Sequence, residues 1–365
     1  MRYIDEFRDP ARAEALLRRI HAHATRPVRL MEFCGTHTHA IFRHGLRQLL
    51  PPQVTTLSGP GCPVCVTSAA DLDRAIALAR IPGVTIATFG DMLRVPGSQG
   101  SLQDAKAAGA DVRVVYSSLD ALDLARRRPE RTVVLLGVGF ETTAPTVAAA
   151  IVQAAQEGLA NLRLLSLHKL TPPATHAILR SGEVALDGIL APGHVSTIIG
   201  AQAWEFVPRE YGLPCTVTGF EPLDILAGIA DLVEQHEAGR AEVHNAYGRS
   251  VRPQGNPAAL ELMERVFALA PASWRGLGTL PNSGLALREE YRAFDAVPLL
   301  AAQASEAAEA REPAGCRCGD VLRGALEPNR CPLFGRACTP ERPVGPCMVS
   351  SEGSCAAYYR YGGEA

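Results

Sequence analysis

The stretch "TVVLLGVGFETTAPTVAAAI" (132–151) contains a short apolar run, a glycine-containing polar turn and an alanine-rich segment with helical character. This order is typical of the strand, loop and helix of a βαβ unit. The stretch "FCGTHTHAI" (33–41) repeats the same order, since it follows the apolar run "VRLMEF" (28–33). Together the two stretches predict an α/β fold built on parallel sheets.

Further apolar runs of strand length lie on both sides of these stretches. They form an early series at 28–33, 53–57, 84–89 and 112–117, and a later series at 132–138, 162–167, 187–191 and 215–220. Helices are predicted between them at 10–24, 69–80, 119–128, 145–157, 174–181 and 222–236. The closing segments also match, "SLDALDLA" (118–125) with "FEPLDILA" (220–227).

The matching series predict two similar tandem Rossmann-like α/β domains, residues 29–128 and 129–222. The alternative is that short parallel-sheet units resemble one another without any duplication. Residues 1–28 and 223–365 are predicted to form a third, α-rich domain, with helices near 257–269 and 298–311 and a cysteine-rich tail.

Composition and charge exclude several classes of protein. The chain has 365 residues, 47% of them hydrophobic and 20% charged, and a formal net charge of -2. This balance gives no basis for nucleic-acid binding or for a polybasic membrane surface. No apolar run approaches the roughly 20 residues of a membrane span, and the N-terminus does not read as a signal peptide. The sequence therefore predicts a cytoplasmic protein, in which ten cysteines favour metal or redox chemistry.

The first candidate site is "CGTHTH", in which Cys34, His37 and His39 follow a predicted strand. Ligands of open parallel sheets bind beyond the carboxyl ends of the strands. A thiolate with two imidazoles offers ligands that suit iron, zinc or copper. The alternative is that the histidines cap the next helix or bond to the backbone.

The second candidate is "GPGCPVC", which carries Cys62 and Cys65. Such a pair forms a reducible disulfide, binds a metal as two thiolates, or lies in a purely structural turn. A zinc ribbon needs a second matching pair, and the neighbouring sequence contains none. The missing pair favours a redox function.

Other candidates lie in loops that follow later strands. Glu141 in "GVGFETTAP" is a possible general base or ligand partner, and the threonines beside it are equally good helix caps. The glycines there match a dinucleotide turn only in part, since Thr142 replaces the third glycine. Asp91 and His194 follow other strands and are expected to face the same cleft. Cys215 stands alone and is interpreted as a buried apolar residue.

The tail carries six cysteines between 316 and 355, with many glycines and prolines. Three disulfides or a metal centre must stabilise it. In a cytoplasmic protein a four-thiolate iron–sulfur cluster is favoured, which leaves two thiols over, and zinc stays an alternative.

These motifs together resemble the HypD family of NiFe-hydrogenase maturation proteins. The resemblance rests on "CGTHTH", "GPGCPVC", "GFETTAP" and "CTPERPVGPCMVSSEGSCAAYYRYG" (338–362), in this order along the chain. It implies a scaffold on which the Fe(CN)2CO moiety is assembled, with a HypC-like chaperone and a HypE-like cyanide donor as partners. It also implies a 4Fe-4S cluster in surroundings similar to those of ferredoxin:thioredoxin reductase.

The resemblance also implies roles for individual residues. Cys34 would hold the iron together with a HypC cysteine, and Cys62 and Cys65 would be the redox dithiol. His37 and Glu141 would position ligands or move protons. Cys318, Cys331, Cys338 and Cys355 are favoured as cluster ligands, with Cys316 and Cys347 as alternates that could pair with each other.

Two other functions compete with this reading. An iron–sulfur thiol–disulfide reductase would share the cluster and the C-x-x-C pair but would give "CGTHTH" no task. A zinc-stabilised binding module would have no redox role.

Overall fold

The computed structural model describes residues 5–301 and 310–362. The strands in these residues are β1 (Val28–Glu32), β2 (Val54–Ser58), β3 (Val84–Thr88), β4 (Asp111–Val114), β5 (Thr132–Gly137), β6 (Leu162–Ser166), β7 (Gly188–Pro192), β8 (Cys215–Thr218), β9 (Val243–Asn245), β10 (Phe267–Trp274) and β11 (Gly278–Leu287).

The α-helices are α1 (Pro10–His23), α2 (Gly35–Arg43), α3 (Leu46–Leu49), α4 (Pro63–Val66), α5 (Ala69–Ala79), α6 (Leu102–Ala107), α7 (Ser118–Arg127), α8 (Ala144–Glu157), α9 (Thr171–Ser181), α10 (Gly193–Ile199), α11 (Phe206–Tyr211), α12 (Pro222–Glu237), α13 (Pro257–Val266), α14 (Val297–Ala301), α15 (Cys318–Leu322), α16 (Pro346–Val349) and α17 (Ser354–Tyr361). Short 3-10 helices cover Asp5–Phe7, Gly90–Arg94, Gln202–Trp204, Glu289–Phe294 and Pro328–Arg330.

Two parallel sheets form the α/β part of the molecule. Sheet I has the strand order β2-β1-β7-β8-β9, and sheet II has the order β4-β3-β5-β6. Their strands are largely buried, and β3 and β7 are buried along their whole length. Such burial is typical of parallel strands covered by helices on both faces. The predicted α/β class with Rossmann-like parallel sheets is confirmed.

The strands do not pair in the tandem order expected from the sequence. Sheet I combines β1 and β2 of the early series with β7 and β8 of the later one, and sheet II combines β3 and β4 with β5 and β6. The chain crosses to sheet II through α4 and α5 and returns through α9. The limits 29–128 and 129–222 therefore do not coincide with the two sheets. An apolar pattern predicts a strand but does not select its neighbour, because any two parallel strands can share the same backbone ladder.

Helices from distant parts of the chain cover sheet I. Helix α12 packs on β7, β8 and β1, and α1 packs on α12. Arg19 of α1 donates two hydrogen bonds of 3.0 Å to the carboxylate of Glu234. The N-terminal helix thus joins the segment that follows β8.

The region after α12 contains more strand than predicted. The helix expected at 257–269 ends at Val266, and residues 267–287 form the antiparallel hairpin β10–β11. The register shifts between Ala270 and Ala272, on either side of Pro271. A proline has no N–H for the ladder, so a bulge is the usual place for it. Of the helix expected near 298–311, α14 gives the start, and residues 302–309 lie outside the described part.

The cysteine-rich tail crosses the carboxyl ends of both sheets. Near sheet I, Thr36 Oγ1 donates to Glu352 Oε1 over 2.8 Å. Near sheet II, Arg94 Nη2 donates to the Val349 carbonyl over 3.2 Å. The tail therefore covers the loops that follow the carboxyl ends of strands in both sheets.

Candidate functional site

Cys34 lies two residues after the end of β1 and immediately precedes α2. The backbone of the next strand's loop packs against it, since Gly35 N donates to the Gly61 carbonyl over 2.9 Å. A Cβ atom on Gly61 would lie 2.1 Å from Cys34 N, so only glycine allows this approach. Because β1 and β2 are adjacent parallel strands, the structure brings the loops "CGTHTH" and "GPGCPVC" into direct contact.

The Cys34 thiol is buried beside His194, which lies at the start of α10. Cys34 Sγ is 3.8 Å from His194 Nδ1. Burial raises the pKa of Cys34 to about 12, and the carboxylates of Glu352 and Glu32 also raise it. Burial lowers the pKa of His194 to about 4. Both groups are therefore neutral at pH 7, and a bound cation is what would convert the thiol to a thiolate.

Glu32 is a site residue that the sequence motifs did not reveal. It is buried, and its Oε2 accepts a hydrogen bond of 2.9 Å from Cys34 N, while Oε1 accepts one from the hydroxyl of Thr38. Burial raises the pKa of Glu32 to about 8. The signal was a carboxylate inside the apolar run "VRLMEF", because a fully buried acidic residue is rare unless it is paired.

The two histidines of "CGTHTH" have different surroundings. His37 is buried, and its Nε2 lies 2.9 Å from the Gly219 carbonyl and 3.0 Å from Thr218 Oγ1. Burial lowers the pKa of His37 to about 4. His39 is partly exposed, and its Nδ1 lies 3.2 Å from the Ser351 carbonyl of the tail. His37 is thus fixed against the carboxyl end of β8, and His39 connects α2 to the tail.

Cys62 and Cys65 form a disulfide at the start of α4, and both are buried. Cys65 N donates to Cys62 Sγ over 3.2 Å. Cys65 Sγ lies 3.9 Å from the Pro346 carbonyl, next to Cys347. The pair therefore lies between the Cys34 loop and the tail.

The six tail cysteines divide into a disulfide and four free thiols. The disulfide joins Cys318 to Cys347, whereas the sequence analysis offered Cys316 as the partner of Cys347. Gly345 lies against Cys316, since a Cβ there would be 2.4 Å from Cys316 Sγ. The free thiols of the tail are those of Cys316, Cys331, Cys338 and Cys355.

All six tail cysteines line one cavity, with about 320 Å3 of empty space including its open mouth. Its other walls are largely apolar, formed by Val321, Leu333, Phe334 and Met348. Within residues 5–301 and 310–362, no three His, Cys, Asp or Glu side chains converge as the ligands of a single metal ion do. Four thiols spaced around a cavity fit an iron–sulfur cluster better than one zinc ion, because the cluster distributes its thiolates over several irons.

Two predicted residues lie at the edge of sheet II instead. Glu141 is buried and binds the first residue of α9, since its Oε1 accepts from Thr171 N over 2.7 Å and its Oε2 from Thr171 Oγ1 over 2.8 Å. Burial raises the pKa of Glu141 to about 7. Asp91 is partly exposed in the short helix Gly90–Arg94. Neither is among the carboxylates that shift the pKa of Cys34.

Cys215 is free and fully buried in β8. Burial raises the pKa of its thiol well above the ordinary value. The prediction that Cys215 packs as an apolar residue is therefore confirmed.

None of the helices in the described ranges combines the length and the apolar character that crossing a bilayer requires.

A family model described as "HypD: Hydrogenase formation hypA family" matches residues 11–362. The chain belongs to the HypD family. Full-length relatives agree with this assignment. The "Hydrogenase maturation factor HypD" of Azotobacter vinelandii is 51% identical, over 99% of this chain and 97% of the relative. Proteins of the same name from Rhodobacter capsulatus and Escherichia coli (strain K12) are 48% and 44% identical, over 100% and 99% of this chain and 99% and 98% of the relatives.

The HypD assignment agrees with the resemblance found from the four motifs and makes the chain a hydrogenase maturation factor. In this HypD-family fold, "CGTHTH" and "GPGCPVC" are neighbours at the edge of sheet I, "GFETTAP" follows β5 in sheet II, and the tail contacts the loops of both sheets.

Proposed function

We propose that the chain is a scaffold for assembly of the Fe(CN)2CO moiety of NiFe-hydrogenases. Cys34 would hold the iron together with a cysteine of a HypC-like chaperone, and a HypE-like protein would donate the cyanide ligands. The observation that carries this proposal is the buried Cys34 thiol, which lies beside His194 and in contact with the loop that bears Cys62 and Cys65.

The surroundings of Cys34 suit an iron ion that arrives as substrate. A soft thiolate is a good anchor for iron that carries cyanide and CO. Because burial keeps the thiol neutral, iron binding must release its proton, and His194 Nδ1 lies 3.8 Å from Cys34 Sγ. With its pKa lowered to about 4, the imidazole would pass this proton on and would not retain it. Burial also keeps bulk water away from the Cys34 thiol.

The tail residues suit a resident cofactor. Cys316, Cys331, Cys338 and Cys355 would hold a 4Fe-4S cluster, a set that replaces Cys318 of the sequence analysis by Cys316. Such a cluster supplies single electrons when bound. Two such electrons, taken in turn from an external electron donor, together with two protons would reduce the Cys318–Cys347 disulfide to a dithiol. This dithiol would then reduce the Cys62–Cys65 disulfide through a mixed disulfide, since one S–S bond breaks for each one formed. The 3.9 Å contact between Cys65 Sγ and the Pro346 carbonyl supports this route.

A second candidate is an iron–sulfur thiol–disulfide reductase. It is favoured by one observation, namely that both disulfides lie in the same apolar core as Trp274 and Met348. It leaves the contact between Cys34 and His194 without a task.

Infrared spectroscopy of the chain co-purified with a HypC-like partner tests the scaffold proposal. We expect cyanide and CO stretching bands, and we expect Cys34→Ala to abolish them. Cys215→Ala is the matched control, because Cys215 is also a free, buried cysteine but lies within β8. Bands that persist in Cys34→Ala would refute the iron-ligand role.

Metal analysis and visible absorption of anaerobically purified protein separate the cofactor classes. Both iron–sulfur functions require iron and a broad charge-transfer absorption, whereas colourless protein with bound zinc would exclude both. If the cluster is present but no cyanide or CO bands form with the partner proteins, the reductase is the better description.

A further inference from the structure

The turn between β10 and β11 contacts the C-x-x-C segment through Arg275. Arg275 N donates to the Val66 carbonyl over 2.8 Å. Its Nε and Nη2 both donate to the Thr67 carbonyl, over 3.2 and 3.0 Å. Thr67 ends α4, only two residues after Cys65. The guanidinium therefore fixes the end of the short helix that carries the disulfide.

The same turn contacts the tail through the next residue. Gly276 has φ +80°, and a Cβ on it would lie 2.6 Å from Gly319 Cα, the residue after Cys318. Arg323 Nη1 donates to the Gly276 carbonyl over 2.8 Å. Arg275 and Gly276 thus join the segment of the Cys62–Cys65 disulfide to that of the Cys318–Cys347 disulfide.

Arg275 is also a buried charge, with 2% of its side chain exposed. Its Nη1 faces Glu312, which is half exposed. Burial lowers its pKa to about 10, while the Cys316 thiol and the carboxylate of Asp71 act in the opposite direction. Asp71 already pairs with Lys169 at 2.9 Å. A buried cation is costly unless negative charge lies nearby. The Glu312 carboxylate supplies such a charge at Nη1, and deprotonated tail thiols would add to it.

We propose that Arg275 is a positioning residue that holds the C-x-x-C segment against the tail and balances negative charge at the tail thiols. The proposal deepens the proposed function, since it assumes thiol–disulfide exchange between the two pairs and a cluster at the tail. Its first test needs neither a cluster nor a partner protein.

The first test measures exchange between the two cysteine pairs in the full-length, cluster-free chain. One equivalent of dithiothreitol reduces one disulfide per chain, giving two protonated cysteines and cyclic oxidised dithiothreitol. Acid quenching, alkylation and mass spectrometry then follow how fast the remaining disulfide redistributes between Cys62–Cys65 and Cys318–Cys347. We expect redistribution to be at least about tenfold slower in Arg275→Gln. Arg292→Gln is the control, because Arg292 lies in the 3-10 helix that follows the hairpin and is 72% exposed.

The second test measures the midpoint potential of the loaded cluster by a redox titration followed by electron paramagnetic resonance. Loss of a buried cation disfavours the more negative, reduced form. We therefore expect Arg275→Gln to shift the oxidised-to-reduced ratio about tenfold toward the oxidised form, which is about 59 mV for one electron. Arg292→Gln should shift the ratio much less, because solvent screens the charge of Arg292.

Arg275→Lys separates the positioning of the C-x-x-C segment from the charge balance at the tail thiols. It also replaces Arg275→Gln as the test variant if Arg275→Gln does not fold. It keeps the charge but lacks the planar pair of N–H groups that binds the Thr67 carbonyl. We expect a potential close to wild type together with slower exchange. Exchange and potential both at wild-type values in a folded Arg275→Gln would overturn the proposal. If the wild-type chain binds no cluster, the proposed function fails, and the exchange rates still decide the positioning role.

Discussion

Two loops with similar sequence patterns have different chemistry in the folded chain. In sheet I, "CGTHTH" places Cys34 Sγ beside the imidazole of His194. In sheet II, "GFETTAP" places Glu141 against Thr171, where both carboxylate oxygens are bound. The strand–loop–helix pattern therefore brings a residue to the sheet edge, and its tertiary neighbours decide whether its reactive atom is available.

The buried charges near the two edges extend this comparison. Beside sheet II, Lys169 and Asp71 form an ion pair of 2.9 Å in which both side chains are almost fully buried. At sheet I, the buried Cys34 and His194 are both neutral at pH 7. We therefore expect substitutions at sheet II to change stability and those at Cys34 to change function.

The largest stability effect is expected for Lys169→Met. Breaking a buried pair leaves Asp71 uncompensated, which costs about 3–5 kcal/mol of unfolding free energy. Arg74→Met is the control, since Arg74 also pairs with Asp71 but is 45% exposed, and it should cost less than about 1 kcal/mol. Urea unfolding measures both values, and equal losses would contradict the assignment.

Glu141→Ala should have the next largest effect on stability. It should lower the unfolding free energy by about 2–3 kcal/mol, because it leaves Thr171 N and Oγ1 without their acceptor. Glu141→Gln retains an acceptor and should cost about 1 kcal/mol. If Glu141 acts only through α9, folded Glu141→Gln keeps the cyanide and CO bands of the loaded complex. Loss of those bands in a folded variant would show that Glu141 takes part in the assembly chemistry.

The pH dependence of stability gives an independent test of Glu141. Its pKa rises from 4.5 in the unfolded chain to about 7 in the folded one, so the folded state binds more protons between these values. This contribution to stability is complete below pH 4.5 and is lost as the pH rises through 7. Between pH 5 and 8, the wild type should lose about 2 kcal/mol relative to Glu141→Gln. Parallel stability curves for the two proteins would show that the pKa is not raised.

The smallest effect is expected within "CGTHTH" itself. His39 is partly exposed and makes one hydrogen bond, to the Ser351 carbonyl, so His39→Ala should cost about 0.5 kcal/mol. His37→Ala should cost more, since His37 is buried and contacts the Gly219 carbonyl and Thr218 Oγ1. Thermal unfolding of the two variants compares them, and a larger loss for His39→Ala would contradict the structure.

The positions of β1 to β8 could be predicted from the sequence because they are short apolar runs, most of them buried. The partly exposed β9 (Val243–Asn245) at the edge of sheet I was missed. The pairing of the strands could not be predicted, since the backbone ladder of β1 with β7 depends on no residue type that the pattern reveals. The hairpin β10–β11 was also missed. Its strand β10 alternates buried and exposed positions only in part and contains Pro271, which weakens a strand pattern.

The residues of the candidate site also divide into those that the sequence reveals and those that only the fold reveals. Cys34 and the Cys62–Cys65 pair follow strands and lie in compact motifs, so the sequence suffices to find them. The partner of Cys347 depends on how the tail folds, which the spacing of its cysteines does not encode. Arg275 is recognisable only when the hairpin, the C-x-x-C segment and the tail are assembled.

The contacts between the tail and the sheet edges have a consequence for the order in which parts of the chain fold during synthesis. The residues that reach Thr36, Cys65 and Arg94 lie between Pro340 and Glu352, after every strand of the two parallel sheets. Because a ribosome releases the C-terminus last, both sheets can pair while the cysteine loops are still open to solvent. Closure of these loops by the tail therefore follows the synthesis of all the strands in both sheets.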